Sequence, residues 1–120
     1  MNHNGVTRIV VDSSTVLKMY FTSKLEFRRK LFELMDFLSN INCTMMLTAE
    51  LPTSDRATMR HGAEQFVVDG IIILYNLEKA EKRIRAIEIL KMRGTDHARE
   101  IAPIKFGQDG IEVYEGEKVY

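Results

Sequence analysis

A chain of 120 residues is ordinarily one domain, and 45% hydrophobic residues allow it a real core, which excludes a disordered chain. Lys plus Arg and Asp plus Glu number 17 each, so the formal net charge is zero, which removes any dominating attraction to nucleic acid or an anionic membrane. No apolar run approaches the roughly 20 residues that span a bilayer, and the polar start Met1-Asn2-His3-Asn4-Gly5 lacks an apolar signal core, so the cytoplasm is the expected compartment and no membrane partner is expected.

Ile9-Val10-Val11 is β-branched throughout. A short apolar run of this kind suits a strand buried on both faces of a helix-covered parallel sheet. Asp12-Ser13-Ser14 ends it with polar turn formers. Ser23-Lys24-Leu25-Glu26 is a capping box: the Ser23 hydroxyl accepts from the third helical amide, and Glu26 reaches back to the Ser23 amide. From there Phe27, Leu31, Leu34, Met35, Leu38 and Ile41 recur at three- and four-residue spacing, one apolar face of an amphipathic helix. Arg28, Arg29, Lys30 and Glu33 take the other, solvated face. Asn40-Ile41-Asn42 breaks the helix, and Cys43 opens a second buried strand, Thr44-Met45-Met46-Leu47. Strand, long helix and strand make a βαβ unit, whose right-handed crossover places the strands in parallel.

Residues 50 to 65 are polar, with Pro52, Thr53, Ser54, Asp55 and Gly62, and show no periodicity. A loop of this length is functional or disordered. Phe66 to Tyr75 reads as a strand, 76 to 82 as a charged connection, and Ile84 to Met92 as an alternating strand. Ile84, Ala86, Glu88, Leu90 and Met92 share one face of it; Arg83, Arg85, Ile87, Ile89, Lys91 and Arg93 share the other. The two strands imply an antiparallel hairpin. Ile104-Lys105-Phe106 and Ile111-Glu112-Val113-Tyr114 flank Gly107-Gln108-Asp109-Gly110, where Asp-Gly favours the positive φ of a hairpin turn. The expected class is α/β, one domain over residues 1–120, with parallel core strands, a helix crossover and antiparallel hairpins behind them.

Three groups of residues carry possible chemistry. Asp12 ends a buried strand, where open α/β sheets bind ligands and where P-loop ATPases hold Mg²⁺ with an aspartate. Taken alone, it reads first as the start of a turn. Thr48 and Glu50 follow the next strand and belong at the same sheet edge, where a polar group can sense a γ-phosphate or align water; from the residues alone a plain strand-end turn is the favoured reading. Lys91, Arg93, Thr95 and His97 end a third strand. Gly94 permits a sharp change of direction, so two cations, a hydroxyl and an imidazole can converge on one oxyanion. A solvated strand end with a turn accounts for them equally. Cys43, the single cysteine, reads as a buried small hydrophobe and excludes an intrachain disulfide. The histidines at 3, 61 and 97 share no metal-ligand spacing with it.

Taken in order, these stretches resemble the C-terminal half of a KaiC-like ATPase domain of the RecA superfamily. The resemblance runs from about Thr7 to Val119. It rests on Arg8-Ile9-Val10-Val11-Asp12-Ser13, Phe27-Arg28-Arg29-Lys30-Leu31-Phe32 and Leu47-Thr48-Ala49-Glu50. It rests further on Gly62, Glu64, Phe66 and Asp69 of a Gly-x-Glu-x-Phe-x-x-Asp pattern, and on Lys91, Arg93, Gly94, Thr95 and His97 of a Lys-x-Arg-Gly-Thr/Ser-x-His pattern. The resemblance implies a partial RecA-like P-loop fold with ATP and Mg²⁺ as cofactors. It implies that Asp12 is the Walker B aspartate that positions Mg²⁺, with Thr48 and Glu50 near the nucleotide. It implies that Lys91, Arg93 and His97 reach the γ-phosphate of ATP bound by a neighbouring subunit, with Thr95 in the same turn. Residues 51 to 60 resemble the segment facing the central channel of hexameric relatives; no aromatic residue stands there, so a base-stacking platform is not indicated.

Two departures from the family matter. No glycine-rich phosphate loop occurs in these 120 residues, and the loop with its following glutamates is expected before the point where this chain begins. The chain is therefore expected to be inactive alone and to pair with copies of itself or with a complementary ATPase half, covering an open sheet edge. Gln65-Phe66 stands where an autokinase member of the family carries a phosphorylated Ser-Thr pair, so no autophosphorylation is expected there. The rival from another class is a non-catalytic interaction or regulatory module that self-associates or binds a partner chain. A nucleic-acid-binding remnant is disfavoured by the zero net charge.

Overall fold

The computed structural model describes residues 5–50 and 67–118. The long polar loop, and with it Gly62, Glu64, Gln65 and Phe66, lies outside the described residues. The elements run β1 (Arg8–Val11), α1 (Ser14–Lys18), α2 (Lys24–Asn40), β2 (Thr44–Leu47), β3 (Gly70–Lys79), β4 (Lys82–Met92), β5 (Ala102–Gly107) and β6 (Gly110–Val113). This is the α/β class of a partial RecA-like fold: a parallel pair joined through a helix, then antiparallel strands. Two compact units divide the chain at residue 68.

In the first unit β1 and β2 pair in parallel, with Arg8 opposite Thr44 and Val11 opposite Leu47. Ile9, Val11, Met45 and Leu47 are half-buried, and α2 packs on β2. Burial on both faces does not hold: Val10 is 68% and Met46 63% exposed. The reason is that the described residues put a helix against one face of a two-stranded sheet and leave its other face open.

Helix α2 starts as its sequence demands, with the Ser23 hydroxyl accepting from the Glu26 amide at 3.1 Å. The reciprocal arm of the box lands one residue early. Glu26 Oε2 accepts from the amide and hydroxyl of Thr22 at 3.2 and 2.8 Å, not from the Ser23 amide. Those two bonds hold the Glu26 carboxyl below its ordinary range, the Thr22 hydroxyl contributing most. Phe27, Leu31 and Leu38 form the buried stripe, while Leu34 is exposed. Phe21 meets Phe27 edge-on with centroids 5.5 Å apart. At the other end Asn42 adopts φ 54° and the Cys43 amide donates to Leu38 O at 2.9 Å. A left-handed Asn closes the helix and delivers Cys43, buried as expected, into β2.

Ser13-Ser14-Thr15 is more than a turn: Ser14 begins α1, a one-turn helix absent from the periodicity reading because five residues are too few to show a period.

In the second unit β3 and β4 pair antiparallel over almost their whole length. β3 begins at Gly70, with residues 67–69 outside it, and continues through what reads as a charged connection. Lys79 pairs with Lys82 around Ala80 and Glu81, whose φ values are 49° and 65°. Two consecutive positive φ values make the tight turn whose twist matches a hairpin. Ile73, Tyr75, Ala86 and Glu88 are buried on one face, and the Tyr75 hydroxyl donates to Glu88 Oε2 at 2.5 Å. Ile71 opposes Lys91 but Ile72 opposes Ile89, so Leu90 is an extra residue. This β-bulge breaks the uniform alternation of β4 and resets the faces of the residues beyond it. β5 and β6 form the expected second hairpin, with the positive φ on Gly110 (123°) itself.

Candidate functional site

Two groups of side chains stand at strand ends, one in each unit. In the first, the parallel ladder continues past Val11 and Leu47 as the Thr48 amide donates to Val11 O at 3.0 Å. That bond sets Thr48 beside Asp12, and the Thr48 hydroxyl donates to Asp12 Oδ1 at 2.7 Å. The chain then doubles back. The Ser14 amide donates to Thr48 O at 2.7 Å, and the Glu50 amide donates to the Thr15 hydroxyl at 3.2 Å. The Asp12–Ser13 peptide is cis. Asp12, Thr48 and Glu50 are thus brought to one edge, at the C-terminal ends of adjacent parallel strands, as the sequence implies.

Asp12 and Glu50 are exposed. Asp12 Oδ1 is engaged by Thr48, which orients the carboxylate and leaves Oδ2 without a partner among the described residues. Behind it Ser14 Oγ is fully buried and has no hydrogen-bond partner among the described residues. A hard-oxygen set of one carboxylate with neighbouring hydroxyls fits Mg²⁺, which takes one or two protein carboxylates and fills its remaining positions with water and phosphate oxygens. Among the described residues no cluster of three or more His, Cys, Asp or Glu side chains forms, so a site enclosed by protein ligands is not what this edge offers.

The second group lies on β4 beyond the bulge and in the turn that follows. Lys91 is half-buried on the strand, opposite Ile71. The Arg93 amide donates to Asp69 O at 2.7 Å, and its Nη1 donates to Asp69 Oδ1 at 3.1 Å. Gly94 turns the chain at φ 71°, and the Thr95 amide closes the turn on Met92 O at 3.3 Å. His97 is half-buried. Its Nδ1 lies 2.8 Å from Ala98 O, and because a carbonyl only accepts, Nδ1–H is the donor of that contact. The cations therefore follow one another along a strand end and its turn, with Arg93 held by a carboxylate from β3's approach.

Sequence reasoning gave no role to Ser14, Thr15 or Asp69. The polar run after Asp12 was the signal for the first two. For Asp69, the signal was the register of a hairpin not yet known to start at Gly70.

A family model described as "ATPase: KaiC" matches residues 1–118. Among curated relatives, the circadian clock oscillator protein KaiC of Prochlorococcus marinus is 36% identical over 107 residues, 89% of this chain and 21% of that protein. The protein of the same name from Parathermosynechococcus lividus is 37% identical over 107 residues, 89% of this chain and 20% of its own length. That from Synechococcus elongatus is 35% identical over 107 residues, with 89% and 21% covered. The chain spans about a fifth of the length of the curated relatives it matches.

Proposed function

The chain belongs to the KaiC family of ATPase domains, and on that premise we propose that it forms the C-terminal portion of a domain that binds MgATP at subunit interfaces and hydrolyses it by in-line attack of water. Asp12 is the metal-positioning carboxylate, acting in its own subunit. Thr48 holds that carboxylate in place, and Glu50, two residues on, aligns the water. Bound Mg²⁺ supplies charge neutralisation at the phosphate oxygens. Lys91, Arg93 and His97 reach the γ-phosphate of the neighbouring subunit's ATP, with Thr95 in the contacting turn. Cations delivered across an interface stabilise charge that grows in the transition state.

The observation that carries the reading is the 2.7 Å bond from Thr48 to Asp12. It spans two adjacent parallel strand ends, the edge at which open α/β sheets take ligands. The 120 residues alone are expected to turn over little ATP. They contain no Gly-x-x-x-x-Gly-Lys-Ser/Thr run, and loop amides of that kind supply much of the phosphate affinity in this class. Titration with a fluorescent ATP analogue and Mg²⁺ tests the reading: binding that weakens in Lys91→Ala and in Asp12→Asn supports it. No binding at any practical concentration assigns the nucleotide chemistry to a longer protein. Normal ATP hydrolysis by a phosphate-loop-bearing protein with Lys91→Ala and Arg93→Ala together defeats the trans role.

The alternative, a non-catalytic module that self-associates or pairs with a complementary half, draws on a different observation. Ile72, Leu74, Phe106, Ile111 and Val113 are large and exposed on the strands of the second unit. A concentration-independent monomer in sedimentation velocity argues against it. No helix among the described residues is long and apolar enough to cross a membrane; a cytoplasmic setting is part of the proposal.

A further inference from the structure

We propose that Asp69 is a positioning residue for Arg93: its carboxylate holds the guanidinium at the end of the β3–β4 hairpin and leaves the remaining N–H donors for a polyphosphate. What the guanidinium touches rests on the nucleotide reading above; the hold itself does not. Gly70 opposite Met92 is the last ladder pair, so Asp69 and Arg93 stand opposite each other one step beyond it. They are joined twice, once through the backbone at 2.7 Å and once through the side chains at 3.1 Å. The backbone bond fixes where the side-chain bond can form, so the pair is a cross-strand contact with its register set.

Three neighbours tighten that register. The bulge at Leu90 sets the phase of everything after it, and a one-residue slip would send Arg93 to the opposite face. Gly70 lets the strands close, since a Cβ there would stand 3.3 Å from Met92 Sδ and 3.4 Å from Lys91 O. Gly94 then bends the chain away, so Arg93 is the last residue with ladder support. The Arg93 and Asp69 side chains are 59% and 78% exposed. A pair this wet adds little stability; its value is to spare a long side chain the ordering cost of binding.

Positioning and plain electrostatics predict opposite signs. Removing the Asp69 charge makes the strand end more positive, so by charge alone a polyanion binds Asp69→Asn more tightly. If Asp69 positions Arg93, the variant binds more weakly, by about three- to ten-fold, the scale of immobilising one long side chain. The experiment titrates the 120-residue chain with inorganic tripolyphosphate, comparing the parent, Asp69→Asn, Arg93→Ala and the double variant. The Arg93 Nε–Hε NMR signal is followed in parallel without ligand. Expected are weaker binding in Asp69→Asn, no further loss when Asp69→Asn is added to Arg93→Ala, and a dispersed Arg93 signal that collapses to the averaged position in Asp69→Asn. Tighter binding in Asp69→Asn, or an Arg93 signal unchanged by it, overturns the proposal. Tripolyphosphate binding absent from every protein overturns the phosphate reading, while the NMR signal still decides the hold by itself.

Discussion

Tyr75→Phe is the sharpest test of how the second unit is held. Glu88 is 4% exposed, and the Tyr75 hydroxyl donates to its Oε2 at 2.5 Å. Phenylalanine keeps the ring and its buried area, so the substitution removes the hydroxyl alone. A hydrogen bond to a charged group contributes about 1.5–3 kcal/mol, and its loss here leaves a buried carboxylate one donor short. For a chain of this size each 1 kcal/mol moves Tm by about 4 °C, so a fall of about 6–12 °C is expected. Urea unfolding followed by far-UV circular dichroism gives the free energy directly, with an unchanged m-value showing that the same surface is exposed. The partner change sharpens the logic. Replacing both polar groups, as Tyr75→Phe with Glu88→Met, removes the carboxylate that Tyr75→Phe leaves one donor short, so the double variant is expected to be more stable than Tyr75→Phe alone. A Tyr75→Phe protein within about 0.5 kcal/mol of the parent, or a double variant less stable than the single, refutes the argument.

Other expectations follow from local structure. Ser23→Ala removes the cap that accepts from the Glu26 amide and is expected to cost about 1 kcal/mol, read as a lower urea midpoint. The Glu26 carboxyl titrates below its ordinary value of 4.5 because Thr22 hydrogen-bonds its charged form, first through the hydroxyl and then through the amide. Its contribution is therefore complete above the unfolded value and fades as pH falls through the lower folded one; Thr22→Ala is expected to raise the Glu26 midpoint in a carboxyl-carbon NMR titration. Glu81→Gly relieves a left-handed non-glycine residue at φ 65° and is expected to raise stability by about 1 kcal/mol in thermal unfolding; a loss of stability would count against the turn geometry.

The βαβ unit was legible because its signals are local and redundant. β-branched runs mark β1, a capping serine and a clear apolar stripe mark α2, and Asn42 marks its end. The handed crossover then converts those elements into a parallel pair without further information. The misses share a physical cause. Burial on both faces of β1 was inferred from its own residues, but exposure is decided by what packs on the sheet. The Lys79–Lys82 turn uses Ala80 and Glu81, which advertise no positive φ, so strand pairing and not turn chemistry imposes the geometry there. Glu88 looked like one polar member of an alternating face; a tyrosine thirteen residues upstream makes its burial tolerable. The bulge at Leu90 has no marker residue at all.

The strand-end residues show the same division. Asp12 and Thr48 meet because two parallel strands stop in register, a rigid seat for the carboxylate. That meeting could be read from the order of elements. Arg93 is placed by a bulge, a glycine that lets strands close and a carboxylate on the opposite strand, none of which has a periodic signature. On the trans role proposed above, reach matters more than rigidity, and a strand end followed by a glycine turn suits it. The residue types of the Lys91–His97 stretch therefore point to the chemistry, while its geometry depends on partners such as Asp69 that only the folded register reveals.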